Sequence, residues 1–141
     1  MKPSLPVAAL ALAILASACA SASGQHPFNV EAVAKFDEPW AMSFLPDGRL
    51  LVTEKKGRLK LVDVANGSSR NVAGVPEVDY GGQGGFGDVV PHPDFATNGI
   101  VYLSYAEAGE GDTRGAALAR AKLVATDDAA PRLEGLEVIW R

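Results

Sequence analysis

An all-β chain of repeated four-stranded antiparallel units, the blades of a β-propeller, is the fold this sequence predicts. Three observations carry it. Short runs of alternating apolar and polar residues, the period of a half-buried strand, recur with Gly, Pro, Asn or Asp between them. The order of turn and strand is repeated: Pro46-Asp47 matches Pro93-Asp94 at an offset of 47, and Leu50-Leu51-Val52 matches Ile100-Val101-Tyr102 at an offset of 50. No amphipathic helical pattern follows residue 22. Units of roughly 40 to 50 residues with four short strands have the size of propeller blades.

Residues 1–22 read as an export signal rather than as fold. Lys2 gives a short positive start, residues 5–15 are apolar, and small residues follow. The apolar run is too short to span a bilayer, which takes about 20 residues. Cys19 is the only cysteine. With Leu15-Ala16-Ser17-Ala18 before it, it resembles a lipobox, although Leu15 stands one place too far away. A lipid anchor at Cys19 and ordinary cleavage after Ala20 both remain open. The chain is therefore expected in the periplasm, or as an outer-membrane lipoprotein, of a bacterium. No disulfide is available, so stability rests on burial and backbone pairing.

Residues 23–27, with His26, form a polar linker. Residues 28–34 alternate and predict a strand, and Asp37-Glu38-Pro39 breaks it. Trp40, Met42 and Phe44 then share one face of the next strand. Pro46-Asp47-Gly48 is a turn in which Pro presets φ and Gly takes the left-handed position. Residues 50–54 and 58–63 are strands around the turn of residues 55–57. Asn66-Gly67 is a preferred hairpin dipeptide, followed by a weaker strand over residues 70–73. The second unit runs through strands at residues 86–90, 100–105, 116–124 and 136–140, with a turn over residues 93–99. The alanines of residues 116–124 would also suit a helix. The blades are placed at about residues 40–73 and 84–141, within a partial propeller spanning residues 28–141.

Propellers close with about four to eight blades, and two are present. The chain also stops in mid-strand at Ile139-Trp140-Arg141. A piece of a longer chain is expected, marginal and aggregation-prone by itself through its open strand edges.

Between the units lies Tyr80-Gly81-Gly82-Gln83-Gly84-Gly85-Phe86-Gly87-Asp88, in which five of the seven residues 81–87 are glycine. The stretch ends abruptly in the apolar Val89-Val90, so it predicts a loop held at the mouth of a strand, where binding groups are often placed. Gln83 is its one side chain with both a donor and an acceptor. A tight turn with an incidental glutamine remains the alternative.

Other residues are less telling. His92, in His-Pro-Asp-Phe, is expected to serve its turn, and Asp88 to bond neighbouring backbone. Glu54 and Lys55 are expected in a solvated turn. Trp40, Tyr102 and Tyr105 are expected to pack between blades. No Cys/His cluster has metal-ligand spacing, no nucleophile–base pair can be assembled, and no catalytic residue is assigned. The net charge of −4 with scattered basic residues gives no stripe for nucleic acid.

Residues 39–54, Gly57-Arg58-Leu59, Gly82-Gln83-Gly84-Gly85, His92-Pro93-Asp94-Phe95 and Val101-Tyr102-Leu103-Ser104-Tyr105 together resemble the start of the pyrroloquinoline-quinone (PQQ)-dependent soluble aldose dehydrogenases, the glucose/sorbosone dehydrogenase family. The resemblance covers residues 28–141. It implies a six-bladed propeller, of which the first two four-stranded blades are present. It implies an exported oxidoreductase that converts the C1 hydroxyl of an aldose to a lactone, with PQQ and calcium as cofactors. The electron acceptor would be a quinone or a cytochrome. It implies that Gln83, flanked by Gly82 and Gly84, contacts the cofactor's polar edge. It also implies that the catalytic histidine, the cofactor-binding arginines and the calcium ligands lie beyond Arg141, which would leave the fragment inactive. Many members carry two leucines where Phe86-Gly87 stands here. The competing reading is a non-catalytic periplasmic propeller used for binding or scaffolding.

Overall fold

The structure, a computed structural model, describes residues 27–141. The export signal, Cys19 and His26 lie outside the described residues. Glu31–Arg141 form one compact unit. Its strands make two sheets. The first comprises β1 (Pro39–Phe44), β2 (Leu50–Glu54), β3 (Arg58–Asp63) and β4 (Ser68–Val72). The second comprises β5 (Phe86–Pro91), β6 (Ile100–Ala108), β7 (Arg114–Val124) and β8 (Arg132–Trp140), with a single helical turn α1 (Phe95–Asn98) between β5 and β6. Each sheet is a meander in sequence order, antiparallel throughout.

The turn chemistry accounts for the meanders. Between β1 and β2, Gly48 takes φ +87° and Asp47 accepts the Arg49 N–H at 3.0 Å. The β3–β4 connection has four residues rather than a two-residue Asn-Gly turn, because the Asp63 carboxylate gathers Ala65 N at 2.9 Å and Asn66 Nδ2 at 2.7 Å. Residues 93–99 tighten into α1, which Gly99 stops in the left-handed conformation.

The core lies between the two sheets. Leu51, Leu59, Leu61 and Val72 from the first meet a layer that includes Phe86, Val89, Val101, Leu103 and Leu123 from the second. Ala117, Ala119 and Ala121 are all buried on that face. Burial at every second residue is the period of a strand and settles the helix ambiguity of β7.

The two sheets share one construction. Both first strands, β1 and β5, each at an edge of its sheet, carry a bulge near their start. In each, the backbone N–H freed by the bulge finds a hydroxyl on the next strand: Ala41 N donates to Thr53 Oγ1 at 3.0 Å, and Asp88 N to Ser104 Oγ at 2.9 Å. The repeat read from the turns thus extends to the hydrogen bonding.

Residues 28–34 form no strand. A strand needs a neighbour to receive its ladder bonds, and this stretch has none among the described residues. Residues 28–33 are all exposed, so the alternation here matches no buried face. Val33 O lies 2.6 Å from where a Cβ on Gly67 would stand.

Candidate functional site

The glycine-rich stretch is a built turn. Gly81 and Gly84 pair with each other, Gly84 N donating to Gly81 O at 2.7 Å, and Gly82 and Gln83 form the tip. Gly82 has φ +53° with open space where a side chain would stand. Positive φ at the first central residue of so tight a turn favours glycine. Gly85 has a different reason. At φ +135°, a Cβ there would lie 2.3 Å from Lys55 O. Its absence lets the turn dock on the β2–β3 connection, where Phe86 N donates to Lys55 O at 2.8 Å and Ala106 N to Gly85 O at 2.8 Å.

Gln83 is exposed, and its amide makes no hydrogen bond to the described residues. It lines a recess of about 360 Å³ with Trp40, Lys55, Phe86, Tyr105 and Arg114. A larger groove of about 590 Å³ runs behind the turn, lined by residues 76–80 and by Tyr105, Glu107 and Leu136. Two of its carboxylates are engaged, Asp79 with Arg114 at 3.1 Å and Glu107 with Arg141. The recess is the better candidate, because the unengaged amide of Gln83 lines it.

Two cations hold the turn. Lys55 Nζ donates to Gly82 O and lies 5.8 Å from the Trp40 ring and 5.5 Å from the Tyr80 ring. Arg114 Nη1 donates to Gly81 O at 3.0 Å. Behind them a charged cluster anchors the start of β1. Glu54 is only 2% exposed; it accepts from Asp37 N at 2.8 Å and pairs with Arg58. Arg58 also reaches Asp37 at 2.6 Å, and Lys56 reaches Glu38 at 3.2 Å. Tyr80 donates its phenol proton to the Glu38 carboxylate at 3.0 Å. The Arg58 hydrogen bond, with Lys56 nearby, holds the Asp37 carboxyl below its ordinary range. The bond to Glu38 pushes the Tyr80 phenol up. Glu38 itself has φ +52°, a strained conformation for a non-glycine residue.

Gln83, Gly82 and Gly84 are thus together in one turn. His92 belongs to the far end of β5, roughly 20 Å along the strand from Phe86. Its Nδ1 accepts from Asp94 N at 2.9 Å and its ring stacks on Tyr102, so it serves the α1 turn. Asp88 accepts from Val89 N at 2.8 Å, a local backbone bond. Two expectations need correction. Glu54 and Lys55 are no solvated turn: the Asp37 backbone, just before β1, bonds the buried Glu54, and the glycine turn lands on Lys55. Trp40 does not pack between the sheets but stands 55% exposed at the recess, while Tyr105 is buried in the core. Lys55 and Arg114 had no sequence signal as site residues. Their partners lie 27 and 33 residues away, across the docking of one element on another.

The donor set offers one unengaged amide, two cations and an indole face, with no carboxylate lining the recess. That chemistry fits a flat, anionic, oxygen-rich molecule. It does not fit calcium, which takes six to eight oxygen ligands with carboxylates among them. Among the described residues, no group of three or more His, Cys, Asp or Glu is placed to hold a metal ion.

Comparison with known proteins follows the same direction. The family model for Glucose / Sorbosone dehydrogenase matches residues 36–141. The aldose sugar dehydrogenase YliI of Escherichia coli is 42% identical over 97 residues, which are 67% of this chain and 26% of that protein. The crystal structure of the soluble aldose sugar dehydrogenase from Escherichia coli in the apo-form is similar at a TM-score of 0.72 and 38% identity, over 80% of this chain and 32% of that one. The PQQ-bound form of an aldose sugar dehydrogenase from Streptomyces coelicolor shares the fold, with a TM-score of 0.68 at 24% identity over 79% of this chain and 33% of that one. The chain spans about a quarter of the curated relative and about a third of the solved ones.

Proposed function

Because the chain belongs to the glucose/sorbosone dehydrogenase family, we propose that its glycine turn forms one wall of the cofactor site in an exported, quinone-dependent sugar dehydrogenase. The observation that carries this is Gln83. A turn built to hold one amide outward, over a recess with two cations and no carboxylate, suits PQQ, a flat polycarboxylate with ring carbonyls.

What the bound quinone supplies is a two-electron acceptor for the hydride at C1, so that an aldose leaves as the lactone. This chain's residues do the holding. The Gln83 amide would hold the quinone by donating an N–H to an oxygen at its polar edge. The Trp40 ring gives an apolar face, and Phe86 and Tyr105 close the floor against water. Gly82 and Gly84 let a planar group approach the backbone. No imidazole or carboxylate lines the recess, so the proton of the sugar hydroxyl goes to a base from outside these residues, and calcium finds its ligands elsewhere too. Reading residues 1–22 as an export signal supports an oxidation outside the cytoplasm, with electrons passed on to a quinone or cytochrome.

The test uses the full-length product of the gene with PQQ and calcium added, and reads dye reduction with aldoses. Activity that requires PQQ is expected. Loss of one hydrogen bond in Gln83→Ala is expected to weaken PQQ binding about three- to tenfold. No dye reduction with any aldose overturns the enzyme reading; PQQ binding without turnover would favour a non-catalytic propeller.

A further inference from the structure

Lys55 and Arg114 grip consecutive carbonyls of one tight turn from two different sheets. Lys55 stands in the β2–β3 connection of the first sheet and binds Gly82 O; Arg114 opens β7 in the second and binds Gly81 O at 3.0 Å. Neither cation is a loose surface charge. The Lys55 ammonium lies 5.8 Å from the Trp40 ring centroid and 5.5 Å from that of Tyr80, its backbone N–H donates to Glu38 O at 2.9 Å and its carbonyl takes Phe86 N. Arg114 is oriented by Asp79, which precedes the turn. The residue between the gripped carbonyls and the closing Gly84 is Gln83.

We propose that Lys55 and Arg114 are positioning residues for Gln83. They clamp the Gly81 and Gly82 peptide planes so that the Gln83 amide is held outward in its binding orientation before any ligand arrives. This rests on the cofactor-site reading of the recess. The physical reason is preorganisation. A turn with Gly81, Gly82, Gly84 and Gly85 has a large backbone entropy, and a Gly-rich tip without a clamp would present Gln83 in many orientations. Charge-assisted hydrogen bonds to two successive carbonyls remove that freedom from the free protein, so binding does not have to. Lysine suits its site because an ammonium on a long stem can reach the Gly82 carbonyl while staying near the faces of the Trp40 and Tyr80 rings. Lys55 also carries the docking of the first sheet on the second through its own backbone, so the geometry of the sheet pair is transmitted to the turn.

The experiment compares Lys55→Met, Lys55→Arg, Arg114→Met and the Lys55→Met/Arg114→Met double variant of the full-length product. The first readout needs no cofactor: amide hydrogen exchange of residues 81–86 in the apoprotein, beside the melting temperature. The second is the Kd for PQQ, titrated directly. We expect each Met variant to exchange about tenfold faster at Gly84, whose N–H donates to Gly81 O, to bind PQQ about tenfold more weakly, and to melt within a few degrees of the parent. Lys55→Arg should recover most of both, and the double variant should lose less than the product of the singles, since both cations restrain one turn. Unchanged exchange at residues 81–86 in both single Met variants would overturn the proposal. So would faster exchange with an unchanged Kd in a parent that binds PQQ. A parent that binds no PQQ defeats the cofactor reading instead, and the exchange data then decide the clamp alone.

Discussion

Thr53 joins the two sheets through one hydroxyl. Its Oγ1 accepts from Ala41 N at 3.0 Å, in the β1 bulge, and donates to Gly87 O at 2.7 Å, in the β5 bulge. Both partners are backbone groups that the bulges have removed from their ladders, and Thr53 is fully buried. Thr53→Val keeps the shape and strands both groups, which should cost about 1–3 kcal/mol. Thr53→Ser keeps the hydroxyl and should cost less, about the 0.8 kcal/mol of a buried methyl. Denaturant unfolding of the two variants checks the order; a valine variant as stable as the parent would refute it. Residues of this kind show what could be read in advance. Gln83 stands out in sequence because glycines isolate it, and the structure puts it exposed at the tip of the turn. Lys55 does not stand out, because a Lys-Lys-Gly turn has the composition of a solvated one, and only the landing of Phe86 N on Lys55 O makes it part of the site.

Among the elements, strands were legible wherever burial is one-sided. The period of β3 and the alanines of β7 follow directly from facing a single core. Residues 28–34 have the same alternation in sequence but no strand: residues 28–33 are exposed throughout, and no neighbour among the described residues receives their ladder bonds. The start of β1 depends on charge as well. Asp37 is held low by Arg58 and Lys56, and Asp47 by Arg49. A carboxyl whose folded pKa lies below its unfolded value contributes stability that is full above the unfolded value and lost as pH falls through the folded one. Both aspartates therefore predict weakening below about pH 4. Asp37→Asn should lower the melting temperature most near neutral pH, and the gap to the parent should close as pH drops through that window. A gap that stays constant from pH 7 to the acid limit of folding would show that the Asp37 pair contributes nothing to the acid response.

At the scale of the whole molecule, each sheet has one face in the shared core and one without a sheet against it among the described residues. On β1, an edge strand of the first sheet, Trp40, Met42 and Phe44 are 55, 69 and 61% exposed. On the second sheet Val90, Ile139 and Trp140 are exposed as well. Large apolar groups grouped in this way mark surfaces meant to be covered. In the propeller fold that covering is done by neighbouring blades on either side, and the two sheets fill only about a third of the solved relatives. The 141 residues produced alone should therefore self-associate, with light scattering rising steeply with concentration. Replacing Met42 and Phe44 by Thr should reduce that association while leaving the inter-sheet core intact, because neither side chain belongs to the buried cluster. A monodisperse, cooperatively melting product of the 141-residue chain would contradict this, and would mean that the Leu51, Leu59, Phe86 and Leu103 core between two sheets is sufficient for a stable fold.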